Sequence, residues 1–405
     1  MAEVLRTQCC IAGGGPAGAM LGLLLARRGL DVVVLEKHAD FLRDFRGDTI
    51  HPSTMEVLDE LGLADAFLAL NPNRVSHLTG NTPAGRITVA DFRDLRSRYP
   101  FVALIPQWDF LAFLTRQASR CSGFHLLMRA EATDLVEEDG VVRGLRYESP
   151  DGAGEIRATL TVAADGRSSV LRRRAGLPVR EASQPIDVLW FRLPRVASDP
   201  EDTAGYLGGG HIVALINRRD YWQIAYVIPK GSAERLRAAG IEELRAALRR
   251  LVPELGDRID LLTGWDQVSV LSVQANRLRR WHRPGLLCIG DAAHAMSPVG
   301  GVGINFAIQD AVAAANVLTE PIRRGHVTPR DLAAVQRQRS WQVRTMQLLQ
   351  AIALRAALAA SRAARPGPVS TVVRRVGGAL FSARPALALR SRLVGLGLRR
   401  VHVAT

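Results

Sequence analysis

The sequence predicts an α/β protein: a parallel-sheet domain split along the chain, an inserted mixed β-sheet, and helices toward the C-terminal end. Three observations carry that prediction. A strand, glycine turn, helix and second strand open the chain. A strand, acidic residue, glycine-rich turn and helix recur near residue 290. Between them, residues 180–265 read as short strands rich in β-branched and aromatic side chains.

In the first unit, Gly13-Gly14-Gly15-Pro16-Ala17-Gly18 fits G-x-G-x-x-G. It follows the apolar run Cys9 to Ala12 and precedes the helical pattern Ala19 to Arg28, which Gly29 stops. Gly13 permits the tight turn, Gly15 lets backbone approach a pyrophosphate, and Gly18 lets helix and strand pack closely. The second strand, Asp31 to Leu35, ends in Glu36, 18 positions after Gly18. A carboxylate there accepts hydrogen bonds from a ribose 2′-OH and repels a 2′-phosphate. This is a Rossmann-type unit for a dinucleotide other than NADP, and Lys37 next to Glu36 is a further candidate contact.

In the second unit, the apolar run Gly285 to Ile289 leads into Gly290-Asp291, then Pro298-Val299-Gly300-Gly301-Val302-Gly303-Ile304-Asn305, then an Ala-rich helical stretch, Phe306 to Leu318. A glycine turn entering a helix presents N–H groups and the positive end of the helix dipole to a partly negative ligand. Asp291 alone would read as a helix cap.

With a third segment, Val162-Ala163-Ala164-Asp165-Gly166-Arg167-Ser168-Ser169-Val170, these motifs resemble those of the para-hydroxybenzoate hydroxylase-like (class A) flavoprotein monooxygenases, over residues 1 to about 320. The resemblance implies a glutathione-reductase-like domain holding FAD tightly but non-covalently. It maps flavin contacts onto Arg46, Gln107, Asp291 and the loop of Pro298, Gly301, Gly303, Ile304 and Asn305, and the adenine end onto the backbone of Ala132. Asp165 would serve the cofactor indirectly, serve NAD(P)H, or simply shape its turn. His294 lies beside the flavin as a tempting general base, though burial next to Asp291 explains it equally. The implied activity is monooxygenation. NAD(P)H, bound transiently, reduces FAD; O2 then forms a flavin C4a-hydroperoxide that oxygenates an apolar, aromatic or polyketide-like substrate. Three other readings remain: a reductase acting on a lipid-like double bond, a flavin-dependent halogenase (from the segment Tyr221 to Pro229), and a non-catalytic FAD-binding protein.

The chain's 405 residues predict two domains. The flavin domain is expected from 1–75, 100–180 and 265–330, the substrate domain from 76–99 and 181–264, and a basic helical segment from 331–405. In the substrate domain, Asp187 to Leu193, His211 to Ile216 and Trp222 to Ile228 read as strands. Trp190, Arg192, His211, Gln223, Tyr226 and Gln274 are the pocket candidates there. No metal-ligand spacing or Ser-His-Asp arrangement stands out.

The net charge of +14 comes mostly from the tail. From Leu332 to Thr405 there are 13 Arg and no acidic residue; removing them leaves 40 basic against 39 acidic residues. With only Trp341 and Phe381 as aromatics, the tail does not match a nucleic-acid-binding surface. It is expected to be an amphipathic cap over the substrate domain, a helix attracted to an anionic membrane surface, or a dimer contact. Monomer and homodimer both remain open. No spanning helix and no signal peptide are read. Cys9, Cys10, Cys121 and Cys288 read as free thiols of a reducing, cytoplasmic compartment, with membrane-peripheral placement as the variant.

Overall fold

The computed structural model describes residues 4–42, 48–82, 85–182, 184–201, 203–362 and 383–404. Its larger sheet has eight strands. In spatial order its main path runs His282–Arg283, Leu286–Cys288, Gly152–Ala163, Val4–Ala12, Val32–Glu36 and Phe124–Met128. From Leu286–Cys288 to Phe124–Met128 every pairing is parallel. Such strands are covered on both faces, so Val32–Glu36 is buried throughout instead of alternating. The helix Pro16–Arg27 buries Ala17 through Ala26 and packs against helices Gly303–Arg323 and Gln107–Ala118. The helix Gly303–Arg323 is long and apolar enough to cross a membrane, but it is mostly buried in the protein.

The second sheet has seven strands, ordered Ser269–Leu271, Ile186–Pro194, Tyr221–Pro229, His211–Asn217, Ala204–Gly208, His77–Thr82 and Gly85–Asp91. The pairing of Ala204–Gly208 with His77–Thr82 is parallel and the rest are antiparallel, so the sheet is mixed. It extends past residue 264, because the turn Trp265–Gln267 carries the chain back to the edge at Ser269.

The period-2 pattern sorts the two faces. Leu189, Phe191, Leu193, Val213, Leu215, Trp222, Ile224 and Tyr226 pack beneath helix Ile241–Leu251. On the opposite face Val188, Trp190, Ala214, Ala225 and Val227 meet Val299, Leu354 and Leu358.

Within the expected C-terminal helical segment, a helix runs Pro329–Arg362 and touches both domains. Arg365-Pro366-Gly367-Pro368, where proline and glycine predict a break in the C-terminal helical segment, and the apolar positions Val372, Val373, Val376, Leu380 and Phe381 after it lie outside the described residues. A further helix, Arg384–Leu396, lies against Gly85–Asp91 and Pro52–Glu60, with Gly395 facing Phe92, Leu95 and Pro52. Beyond it, Asn316 donates to the His402 carbonyl and Arg28 to that of Ala404. The arm therefore covers the flavin domain as well as the inserted sheet.

Candidate active site

Three turns meet at the C-terminal ends of adjacent parallel strands, where open α/β sheets place their ligands. Ala12 pairs with Ala163, and Ala163 with Cys288. The turns that follow these strands carry Gly13, Asp165 and Gly290. Gly13 has φ +103°, and a Cβ on it would lie 2.4 Å from the Ala164 carbonyl oxygen. A Cβ on Gly18 would lie 1.9 Å from the Gly13 oxygen, whereas Gly15 faces open space. The helix after it begins without a side-chain cap and with Pro16 in its first turn. Its N-terminus is thus a bare backbone cradle for phosphate.

Glu36 is nearly buried; Oε2 accepts from the Gly14 N–H (3.1 Å) and Oε1 from the His38 N–H (3.2 Å). These bonds, with the His38 ring Nδ1 2.5 Å from Oε1, hold the carboxylate at the cradle. Gly13, Gly15, Glu36, Lys37, Gln107, Ala132 and Asp165 all line one cleft. Of the other expected cofactor-binding residues, Pro16, Ala17 and Gly18 form the first turn of the helix, and Arg46 lies outside the described residues.

Asp165 shapes its turn. Its Oδ2 accepts from the Val170 and Leu171 N–H groups (2.8 and 3.2 Å), and burial holds its carboxyl above the ordinary range. Asp291 is joined to the second motif through Arg167 (3.0 Å), while Arg172 donates to the carbonyls of Ala292 and Arg167. Gly290, at φ +58°, leaves 3.0 Å between its notional Cβ and that of Ala17. The two glycine motifs, nearly the whole chain apart, are therefore in contact.

The loop from Ser297 to Val302 is held from two sides. Gln350 Nε2 donates to the carbonyls of Ser297 (2.9 Å) and Val299 (2.7 Å), which flank Pro298. Thr49 donates to the Gly301 carbonyl (2.7 Å), and Gly300 and Gly301 both sit at positive φ. Helix Gly303–Arg323 then starts without a side-chain cap, so the N–H groups of Gly303 and Ile304 stay available for a developing anion. The Asn305 side chain turns away from the loop, accepting from the His51 N–H and the Thr54 hydroxyl.

His294 is almost fully buried. Its Nε2 meets Asp310 Oδ2 at 2.6 Å, and its ring packs against Trp281. Asp310 also accepts from the Gly290 N–H (3.1 Å) and binds Arg339 (2.8 Å), with both side chains inaccessible to water. The residue beside His294 is thus Asp310, not Asp291, and the imidazole belongs to a structural ion cluster. That placement withdraws it from proton transfer at the flavin.

Of the pocket candidates, Trp190, Arg192 and Gln223 share the sheet face turned toward Val299, since Arg192 pairs with Gln223 and Trp190 with Ala225. His211 and Tyr226 correct the expectation. They lie in register with Val213 and Leu215 on the helix-covered face, and they contact each other. Gln274 is exposed in the loop before Ala275.

Sequence reading missed Asp48 and Arg218, a buried ion pair joining the flavin domain to the inserted sheet; Arg218 also donates to Gln223 (2.9 Å). Burial pushes the Asp48 carboxyl up to about 6, against the opposing pull of Arg218.

Residues 6–347 match the family model described as FAD binding domain. The chain belongs to this FAD-binding flavoprotein family. The chain is 33% identical over 404 residues, 99% of its length and 95% of the relative's, to 6-methylpretetramide 4-monooxygenase of Streptomyces rimosus. It is 27% identical to 12-dehydrotetracycline 5-monooxygenase/anhydrotetracycline 6-monooxygenase of the same species, across 76% of this chain and 61% of that one. Among solved structures, p-nitrophenol 4-monooxygenase PnpA of Pseudomonas putida superposes with TM-score 0.76 at 20% identity, covering 97% of each chain. The halogenase CndH matches with the same TM-score at 18% identity, covering 99% of this chain and 100% of that one, so the fold alone does not separate these activities. The near-full-length relative does: this family member is an FAD-dependent monooxygenase.

Proposed function

We propose that this flavoprotein hydroxylates an aromatic, polyketide-like substrate with NAD(P)H and O2. The observation that carries the reading is that the similarity to the pretetramide monooxygenase runs through the inserted sheet as well as the flavin domain. When bound, FAD supplies the electron transfer and the oxygen activation. The chain's own residues bind, orient and exclude water. The glycine cradle and Glu36 hold the nucleotide end. The uncapped N–H groups of Gly303 and Ile304 would stabilise negative charge on the bound flavin. Trp190, Ala214, Ala225 and Val227 give an apolar wall facing Val299, suited to a flat, hydrophobic substrate. The segment that resembles a halogenase motif points elsewhere: Trp222 is buried on the helix side and donates to Asp199 (2.9 Å).

The test is to purify the protein, confirm visible flavin absorbance, and screen polycyclic phenols for stimulation of NAD(P)H consumption under labelled O2. Incorporation of one labelled oxygen atom is expected. Stimulated NAD(P)H oxidation that yields only peroxide, or an anaerobic reduction of the substrate, overturns the reading.

Gln350 gives a narrower prediction. Gln350→Leu removes both donors to the loop carbonyls while keeping bulk, and is expected to raise the fraction of NAD(P)H lost to peroxide several-fold, with FAD retained. Gln347→Leu, whose amide serves Asn276 and Ala295 instead, is the comparison. Equal coupling in Gln350→Leu and the parent protein would show that the clamp does not position the loop.

A further inference from the structure

A cavity of about 400 Å3 opens outside the flavin cleft, lined by Arg180, Arg277, Leu278, Arg279 and Arg344. Four guanidinium groups surround it and no carboxylate does. Strands Val179–Ala182 and Ala275–Leu278 pair so that Arg180 lies directly opposite Arg277. Like charges directly opposite across a sheet are destabilising, and no carboxylate lines the cavity beside them. Among the described residues Arg180, Arg279 and Arg344 form no ion pair. The guanidinium of Arg277 is held below its ordinary range by burial and by its neighbours Arg180 and Arg344. Such a cluster concentrates positive charge without a lining carboxylate, and guanidinium forks match phosphate oxygens in geometry as well as charge.

The cavity is linked by hydrogen bonds to the short strand His294–Ala295. Arg277 donates to Gln347 (2.9 Å), and Gln347 donates in turn to the Ala295 carbonyl (3.0 Å), two residues before Ser297. Gln347 thus joins Arg277 to the strand His294–Ala295 that precedes the Ser297–Val302 loop. The N-terminal cradle, with Glu36 in place, is unsuited to a 2′-phosphate.

We propose that this four-arginine cavity is a phosphate-binding site that anchors a phosphate of the nicotinamide cosubstrate. Assigning the phosphate to NAD(P)H rests on the monooxygenase reading; the affinity for phosphate does not.

The test uses the FAD-loaded full chain and the double variant Arg180→Gln/Arg344→Gln, whose two side chains are exposed and make no contact in the flavin cleft. The KM for NADPH is expected to rise about tenfold, with kcat and visible flavin absorbance little changed, since a lost surface anchor weakens encounter and binding more than chemistry. A smaller rise for NADH identifies the 2′-phosphate as the anchored group; an equal rise identifies the pyrophosphate. Inorganic pyrophosphate should bind the parent protein by calorimetry and compete with NADPH, and do neither in the variant. Unchanged KM values for both nucleotides, with no pyrophosphate binding, overturn the site. Pyrophosphate binding without competition overturns the cosubstrate assignment while supporting the phosphate site. If no NAD(P)H oxidation occurs under any condition, the monooxygenase reading fails, and the calorimetric result still decides the cavity.

Discussion

Asp310→Ala is expected to lower the unfolding free energy by about 3–5 kcal/mol, because it strands a buried cation. Arg339 is inaccessible to water and its Nε lies 2.8 Å from Asp310, so removing the carboxylate leaves the guanidinium buried without its counter-charge. The same carboxylate holds the Gly290 N–H and His294, so flavin should be lost along with stability. Denaturant titration and the flavin absorbance of the purified variant measure both effects. A double variant, Asp310→Leu/Arg339→Met, should be less damaged than Asp310→Ala, since an apolar pair can replace an ion pair where a lone charge cannot remain. A single variant with parental stability and full flavin content would sink this account of the cluster.

The cluster also sets a pH dependence. Burial raises the Asp310 pKa, yet His294 and Arg339 outweigh it and hold the carboxyl below its ordinary range. A depressed folded-state pKa contributes stability that is present above the unfolded value and lost as the pH falls through the folded one. Stability should therefore decline as the pH falls from the ordinary carboxylate range toward the lower folded-state value, and Asp310→Asn should flatten that limb of the stability profile.

Gly18→Ala is expected to abolish flavin binding, through backbone collision alone. The added methyl would sit 1.9 Å from the Gly13 carbonyl oxygen, and no flexible side chain is there to yield. Either the helix withdraws from the first strand or the turn opens, and both destroy the phosphate cradle. Gly15→Ala is the informative contrast. Its methyl meets no protein atom within 4 Å, so the apoprotein should fold normally and fail only when FAD is added. Equal flavin content in Gly18→Ala and the parent protein would refute the close-packing role.

Much of this site was legible because its chemistry constrains local sequence. Gly13, Glu36, Asp165 and Asp291 sit at strand ends, where turn geometry and ligand contact leave few residue choices. His211 and Tyr226 were misjudged for a different reason. Alternation says that neighbouring strand residues face opposite ways, but which face meets the site depends on what packs there. Here helix Ile241–Leu251 claims their side. Arg339, Gln347 and Gln350 were missed because they stand on a helix remote from every motif. A signal was present: they fall on the same stripe as Val335, Val343, Met346 and Leu354, and polar residues on a buried stripe need partners. Asp48 and Arg218 left no such trace, since neither a turn residue nor a hairpin arginine declares a distant ion pair.

The order of strands in the larger sheet bears on how the protein matures. The strand Leu286–Cys288 completes the row begun by Val4–Ala12, with Gly152–Ala163 between them. Long-range parallel pairing of this kind is slow to nucleate. During synthesis the opening glycine turn emerges first, yet it stays half a binding site until the segment near residue 300 has left the ribosome. Cofactor capture must therefore be a late event, and nascent chains that stall before that segment are bound to be flavin-free.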